Sequence, residues 1–352
     1  MSNEMRLARI DYGPGWIDLG YGEPVVVAKV LNEFIQKTGY MLFLPDPKDM
    51  MKSAVYQPPQ GYTPLVKLLE EKYGAKVVIT NGAKHGLAAV FSTLRGMGHQ
   101  GTMIHSPYWT STPSLIENAG LQVQYMDQET NPNVTSFVVT SPNNPDGREL
   151  TKKQLIKLTK DAKDDDVILV HDAAYYTPIY MEKPKSTTKV GDVQVYSFSK
   201  MWGMSGLRIG YVVVHNEKLL PGIIEYVEQS CSGVSTASQQ LAYTVENYFM
   251  KEDKNRREFE KRAREAIARS RKELKNINPE VLQVEPCQSN SMFAWCKVGP
   301  KLDYKAAKVN LMPGDIFGRV GYVRINLAVD SDLIKTAVER LNDAQKDTKE
   351  ST

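Results

Sequence analysis

The stretch YSFSKMWGMSGLRIGY, residues 196–211, decides the fold. Apolar, β-branched runs lie on either side of its centre, Val193–Ser197 before the lysine and Ile209–Val214 after it. Between them come a Ser-x-Ser, Lys200, a glycine-containing turn and Arg208. A lysine at a strand end, partly removed from water beside another cation, has its amine pKa lowered and can form a Schiff base. Ser197, Ser199 and Arg208 add hydroxyls and a guanidinium suited to an anion, with phosphate the obvious one. Taken alone, Lys200 would pass for a surface lysine in a turn. Its neighbours along the chain change that.

Working outward, five more short apolar runs precede this pair: Val77–Thr80, Thr102–His105, Val123–Met126, Ser136–Thr140 and Val167–His171. Helical patterns separate them, as in the stripe Leu87, Val90, Phe91 and Leu94. Continuous apolar strands alternating with helices predict an α/β fold whose mostly parallel, seven-stranded sheet is covered on both faces. In such sheets ligands sit beyond the carboxyl ends of the strands. Three turns there carry chemistry. SPNNPDG (141–147) projects side-chain amides from a rigid turn. HDAAYY (171–176) places Asp172 and Tyr175 at a strand end, where a buried aspartate needs a partner such as a pyridinium N–H. TNGAKHG (80–86) opens a helix whose free N–H groups and dipole favour phosphate. Asn144, Asp172 and Lys200 recur at 28-residue intervals and Arg208 follows eight later. Each belongs to a different strand, so all converge on one edge.

After Val214 the pattern changes. Phe249 to Asn276 predicts one long charged helix, ended by Pro279, with Phe259, Ala263, Ala266, Ile267, Ser270 and Leu274 as its inner stripe. Its run KNRREFEKRAREAIARSRK could track nucleic-acid phosphates, but the interspersed glutamates and the stripe favour a solvated, salt-bridged helix. Phe293–Lys297 and Tyr322–Leu327 read as strands around the turn PGDIFG, giving a smaller α+β domain. The first forty residues should fold against it, with Ile10–Gly22 turn-like rather than part of a sheet, and the tail from Lys346 should fray. The expected division is 40–270 for the large domain, with 1–39 and 271–352 forming the small one.

Composition sets outer limits. With 41% hydrophobic and 24% charged residues over 352 positions, the chain is neither disordered nor a disulfide miniprotein. No run approaches the ~18–20 apolar residues of a membrane span. Three scattered cysteines and five separated histidines, at a net charge of +3, argue for a cytoplasmic protein without metal, membrane or nucleic-acid partner.

These segments look like the pyridoxal-phosphate enzymes of fold type I, the class I/II aminotransferase superfamily. The resemblance runs from DLGYGEP (18–24) through YQPPQGYTPLVKLLEEKYG (56–74) to LMPGDIFG (311–318) and YVRINLA (322–328). VVTSPNNPDG, VHDAAYYTPIY and FSKMWGMSGLRIGY are most similar to the alliinase and tryptophan aminotransferase branch. The resemblance implies a fold type I transferase using pyridoxal 5′-phosphate. Lys200 would be the Schiff-base lysine and proton shuttle, and Asp172 would keep the pyridine nitrogen protonated. Asn144 and Tyr175 would bond the phenolic oxygen. Gly82, Ala83, Lys84, Ser197 and Arg208 would hold the phosphate, and Trp109 would stack on the ring. Arg324, placed after a strand, would clamp the substrate α-carboxylate beside Asn144 and the Gly22 amide. Tyr56 would cross a homodimer interface to the neighbouring phosphate. Lys84 departs from the small hydroxyl residue common at its position. Trp16, Tyr21, Tyr40, Tyr176 and Trp202 could line an aromatic-accepting pocket, though loop aromatics are more often core.

The implied activity is transfer of an α-amino group between an amino acid, aromatic or otherwise neutral, and a 2-oxo acid. The alternative on the same residues is a β-eliminating C–S lyase. A half-reaction separates them: a donor alone converts a transaminase to the pyridoxamine form, whereas a lyase turns over without a keto acceptor.

Overall fold

The computed structural model describes residues 14–38, 54–128, 131, 133–181, 189–287 and 290–347. In chain order the strands and helices are β1 (Ile17–Asp18), α1 (Val25–Thr38), α2 (Thr63–Tyr73), β2 (Lys76–Thr80), α3 (Ala83–Gly96), β3 (Gly101–Ile104), α4 (Thr112–Asn118), β4 (Gln122–Tyr125) and β5 (Val134–Thr140). There follow α5 (Lys152–Asp164), β6 (Ile168–Asp172), β7 (Val193–Ser197), α6 (Phe198–Met201), β8 (Gly210–Val214), α7 (Leu220–Cys231), α8 (Thr236–Lys251) and α9 (Asp253–Leu274). The rest are β9 (Leu282–Val284), β10 (Phe293–Val298), β11 (Val309–Asn310), β12 (Met312–Pro313), β13 (Tyr322–Asn326) and α10 (Ser331–Asp347).

Seven strands form the central sheet in the order β2-β8-β7-β6-β5-β3-β4. All neighbours pair in parallel except β8, which runs antiparallel to both β2 and β7. The central strands β7 and β8 are buried at every position, as runs such as VQVYS and GYVVV require when helices cover both faces. Because β8 is reversed, its first residue Gly210 lies opposite both Thr80 and Ser197, the last residues of β2 and β7. Arg208, just ahead of β8, therefore reaches the same edge as Lys200.

Local signals set the helix ends. Thr151 and Gln154 form a reciprocal capping box at α5. Pro64 opens α2 and left-handed Gly74 closes it. The long charged helix expected over Phe249–Asn276 is instead two helices, α8 and α9, broken at Glu252, whose backbone is not helical. Asp253, in the first turn of α9 where an acid is favoured, accepts from Arg256 and Arg257. The break lets Phe249 and Phe259 pack with ring centroids 5.4 Å apart. The inner stripe is otherwise as read: Phe259, Ala263, Ala266, Ile267, Ser270 and Leu274 are all buried. Its cations pair with acids, Arg256 with Glu260 at 2.9 Å and Arg262 with Glu33.

A second, four-stranded sheet has the order β12-β13-β10-β9, antiparallel throughout. The amino-terminal segment is not strand-free. β1 pairs in parallel with β11, and Asn326 N–H donates to Leu19 O at 2.7 Å. Helix α9 packs against both α1 and α10. Residues 10–13, Tyr40 and the tail beyond 347 lie outside the described residues. Among the described residues no helix is long and apolar enough to cross a membrane.

Candidate active site

Three parallel strands deliver the central groups. Asp172 is the last residue of β6, Lys200 follows β7 within α6, and Asn144 lies in the turn after β5. Asp172 is buried, and its Oδ1 accepts from Ala174 N–H at 3.1 Å. Burial raises its pKa to about 6, opposed by that one amide. The Lys200 ammonium donates to Gly22 O, which links the lysine to the segment preceding α1. Burial, then the Arg324 cation, lower its pKa to about 8; Glu23 opposes and Arg208 adds to the fall. Its main chain is fixed too, since Tyr180 OH donates to Lys200 O at 2.9 Å.

Arg324 lies within β13, not after it, and is almost wholly buried. Its Nη1 donates to Asn144 Oδ1 at 2.8 Å and its Nη2 to Gly20 O at 2.7 Å, while Nε is buried without a partner. Phe293 and Phe317 flank the guanidinium at 4.2 and 4.9 Å. A Cβ on Gly22 would meet Phe293 at 3.2 Å and Arg324 Nη2 at 3.6 Å, a tight fit beside the guanidinium. Burial lowers the arginine to about 10, with Tyr175 and Asp18 opposing. Burial pushes Tyr175 well up, with the Arg324 cation opposing.

The anion corner sits at the start of α3. No side chain caps that helix, so the first-turn amides after Gly82 point outward. Gly82 holds a φ of +79°, and a Cβ there would lie 2.5 Å from Arg208 Nη2. Arg208 is itself left-handed, with Nη1 donating to Ser205 O at 2.9 Å and to Ser199 Oγ at 3.5 Å. Ser197 is buried at the end of β7. Lys84 Nζ lies 5.3 Å from the centre of the half-buried Trp109 ring. The combination is an N–H cradle with a guanidinium over it, suited to a phosphate.

Other sequence candidates divide. Trp202 belongs to the core, stacked on Phe249 at 4.7 Å with Nε1 donating to buried Glu246. Tyr176 is buried edge-on to His171. Tyr56 is 86% exposed, away from the buried groups of the site. Residue-by-residue reading missed Gly20, Phe293, Phe317 and Tyr180. They act through a backbone carbonyl or through packing on a charged group, which leave no motif. Among the described residues no group of three or more His, Cys, Asp or Glu is placed to hold a metal.

The aminotransferase class I and II family profile matches residues 14–341, nearly the whole chain. The chain belongs to this family. Its members depend on pyridoxal phosphate, and this chain is an aminotransferase. The aspartate aminotransferase of Thermotoga maritima is 26% identical over 95% of this chain and 90% of its own length. The aspartate/prephenate aminotransferase of Thermus thermophilus is 26% identical over 81% and 82%. Among solved structures, that of the Thermotoga maritima enzyme superposes with a TM-score of 0.74 at 23% identity, covering 97% and 96% of the two chains. An aromatic aminotransferase from Pyrococcus horikoshii gives 0.74 at 19% identity, covering 98% and 99%. These likenesses confirm the α/β fold of fold type I transferases. The curated relatives are aminotransferases, named for aspartate, aspartate/prephenate or LL-diaminopimelate, so the eliminating lyase is not favoured and the alliinase texture gains no support from them.

Proposed function

We propose that this aminotransferase binds pyridoxal 5′-phosphate on Lys200 and moves an α-amino group between an amino acid and a 2-oxo acid. The observation that carries the reading is one sheet edge holding a lysine lowered to about 8 beside a buried aspartate and a buried arginine. The residues fit the coenzyme. The buried Asp172 carboxylate gains its missing partner from a ring N–H, and the Gly82 cradle accepts a phosphate where a side chain would clash with Arg208. When bound, the coenzyme supplies an electron-poor ring that accepts electrons from the substrate's α-carbon.

The chain's own groups do the rest. Asp172 keeps the ring nitrogen charged. Asn144 and Tyr175 bond the ring oxygen, and Trp109 covers a face. Arg208, Ser197 and the amides of Gly82, Ala83 and Lys84 hold the phosphate. Arg324, its Nε vacant and its two η-nitrogens already oriented, takes the substrate carboxylate beside the Gly22 amide. Lys200 Nζ, once the substrate amine has displaced it from the coenzyme, would take the α-proton and return it one position away; an amine near 8 suits both directions at neutral pH. The aspartate aminotransferases among the named relatives support an aspartate-type donor over the neutral one expected from sequence. We place Tyr56 across a homodimer interface, against the partner's phosphate, and divide the chain into a large domain at 40–270 and a small one of 1–39 with 271–352. Three free cysteines support a cytoplasmic setting.

Borohydride reduction after incubation with pyridoxal phosphate, followed by peptide mass spectrometry, tests the centre of this reading. A coenzyme adduct on Lys200 is expected, and its absence would overturn the assignment. An amino-donor panel read at the coenzyme's absorbance then ranks acidic against aromatic donors.

A further inference from the structure

Three buried side chains that take no part in the chemistry above form one hydrogen-bonded line beneath it. His171, fully buried, immediately precedes Asp172 on β6 and therefore faces the opposite side of the sheet. Its Nε2 meets Ser141 O at 3.2 Å, and its Nδ1 meets Gln194 Nε2 at 3.1 Å. The Gln194 amide also donates to Tyr196 OH at 3.1 Å, and its Oε1 accepts from His215 Nε2 at 2.8 Å and Val190 N–H at 3.3 Å.

The partners fix every proton. A carbonyl oxygen only accepts, so His171 carries its hydrogen on Nε2 and receives the Gln194 amide at Nδ1. Gln194 Oε1 likewise assigns a hydrogen to His215 Nε2. A cationic His171 would turn Nδ1–H against the Gln194 NH₂ group, donor against donor. Burial disfavours that form, lowering the ring to about 4.

The place of the first bond gives the line its consequence. The β5–β6 ladder ends with Thr140 opposite Asp172. Ser141 is the first residue beyond it, and the turn carrying Asn144 has left the sheet. The turn is otherwise held by its own backbone, by Leu150 N–H on Ser141 Oγ, by Asn143 Nδ2 on Pro107 O and Asp146 Oδ1, by the Cys287 thiol on Gly147 O and by Arg324 on Asn144 Oδ1. None of these ties it to β6. We propose that His171 is a positioning residue of this active site. It clamps the Asn144 turn to β6 and, through Gln194, to β7, so that Asn144, Asp172 and Lys200 hold a common height above the sheet. Because Asn144 Oδ1 orients Arg324 at 2.8 Å, loosening the turn also loosens the carboxylate clamp.

The catalytic part of this inference rests on the function proposed above; the clamp itself does not. The test compares wild type with His171→Leu, which loses both bonds, and His171→Gln, which keeps a donor near Nε2. Amide hydrogen exchange should quicken at Asn143, Gly147 and Leu150 in His171→Leu by roughly tenfold or more, while the β2–β8 ladder stays protected. In coenzyme-loaded enzyme kcat/KM should fall by roughly tenfold, mostly through KM, and the pH midpoint of the coenzyme's absorption band should move. His171→Gln should restore most of both. Should His171→Leu fail to fold, His171→Phe, which keeps a ring but neither bond, takes its place and should quicken the same amides. Unchanged exchange in the turn overturns the clamp. Faster exchange with unaltered kcat/KM and band midpoint overturns its part in catalysis. A wild type that takes no coenzyme on Lys200 sinks the functional reading alone, since the exchange result still decides the clamp.

Discussion

Replacing Lys200 by methionine should make the coenzyme-free protein more stable at neutral pH. Burial, with the Arg324 and Arg208 cations and against Glu23, brings the amine from 10.5 to about 8. At ~1.4 kcal/mol per pH unit the ammonium is disfavoured in the fold by ~3 kcal/mol. The side chain is only partly buried by area and bonds Gly22 O, which returns a share and leaves ~2 kcal/mol. Methionine keeps the unbranched stem and drops the charge. A lysine whose folded pKa lies below its unfolded value binds fewer protons when folded, so wild-type stability rises with pH across the window from about 8 to 10.5. The penalty is fully present below that window and absent above it. Urea unfolding of both proteins at pH 7 and pH 10, with slopes compared, should show Lys200→Met ahead by ~2 kcal/mol at pH 7 and most of the gap closed at pH 10. A variant no more stable at pH 7, or a gap that ignores pH, would refute the premise that the fold disfavours this ammonium.

Three other perturbations follow from the same geometry. Gly82→Ala adds a methyl 2.5 Å from Arg208 Nη2 at a φ of +79°, so equilibrium titration with pyridoxal phosphate should show affinity weakened at least ~10-fold. An unchanged Kd would remove this corner from the phosphate site. Asp172→Asn should still bind coenzyme while single-turnover rates fall by ~100-fold or more, since the ring nitrogen loses its counter-charge. Its coenzyme-free form carries a second signature. The carboxylate is raised from 3.8 to about 6, so its burial penalty enters as pH rises through that window. The Asn variant should therefore be the more stable at pH 7 but not at pH 4. Arg324→Lys removes the planar fork and should lower kcat/KM by ~100-fold, chiefly through KM; a change confined to kcat would place Arg324 elsewhere in the reaction.

What the sequence made legible is what local physics writes into it. β-branched runs such as GYVVV announce buried strands, and the regular spacing of Asn144, Asp172 and Lys200 announces their shared edge, because each connection between parallel strands returns the chain to the same side. The α8–α9 break at Glu252 escaped notice because the helical period continues on both sides of it. Gly20 and Tyr180 escaped because each acts from a distance along the chain that no spacing encodes, over 304 residues to Arg324 in one case and 20 to Lys200 in the other. His171 was quoted within a motif and passed over, since its partners are a carbonyl and an amide on other strands. The groups with the clearest sequence signal, Lys200 and Asp172, are also the ones the fold holds in the less comfortable charge state. A chain selected for stability alone would have no reason to bury an ammonium and a carboxylate on one sheet edge with neither placed to neutralise the other. Their shared strain is relieved only when a third group arrives, an aldehyde for one and a ring N–H for the other, and that is why this edge reads as a site rather than as packing.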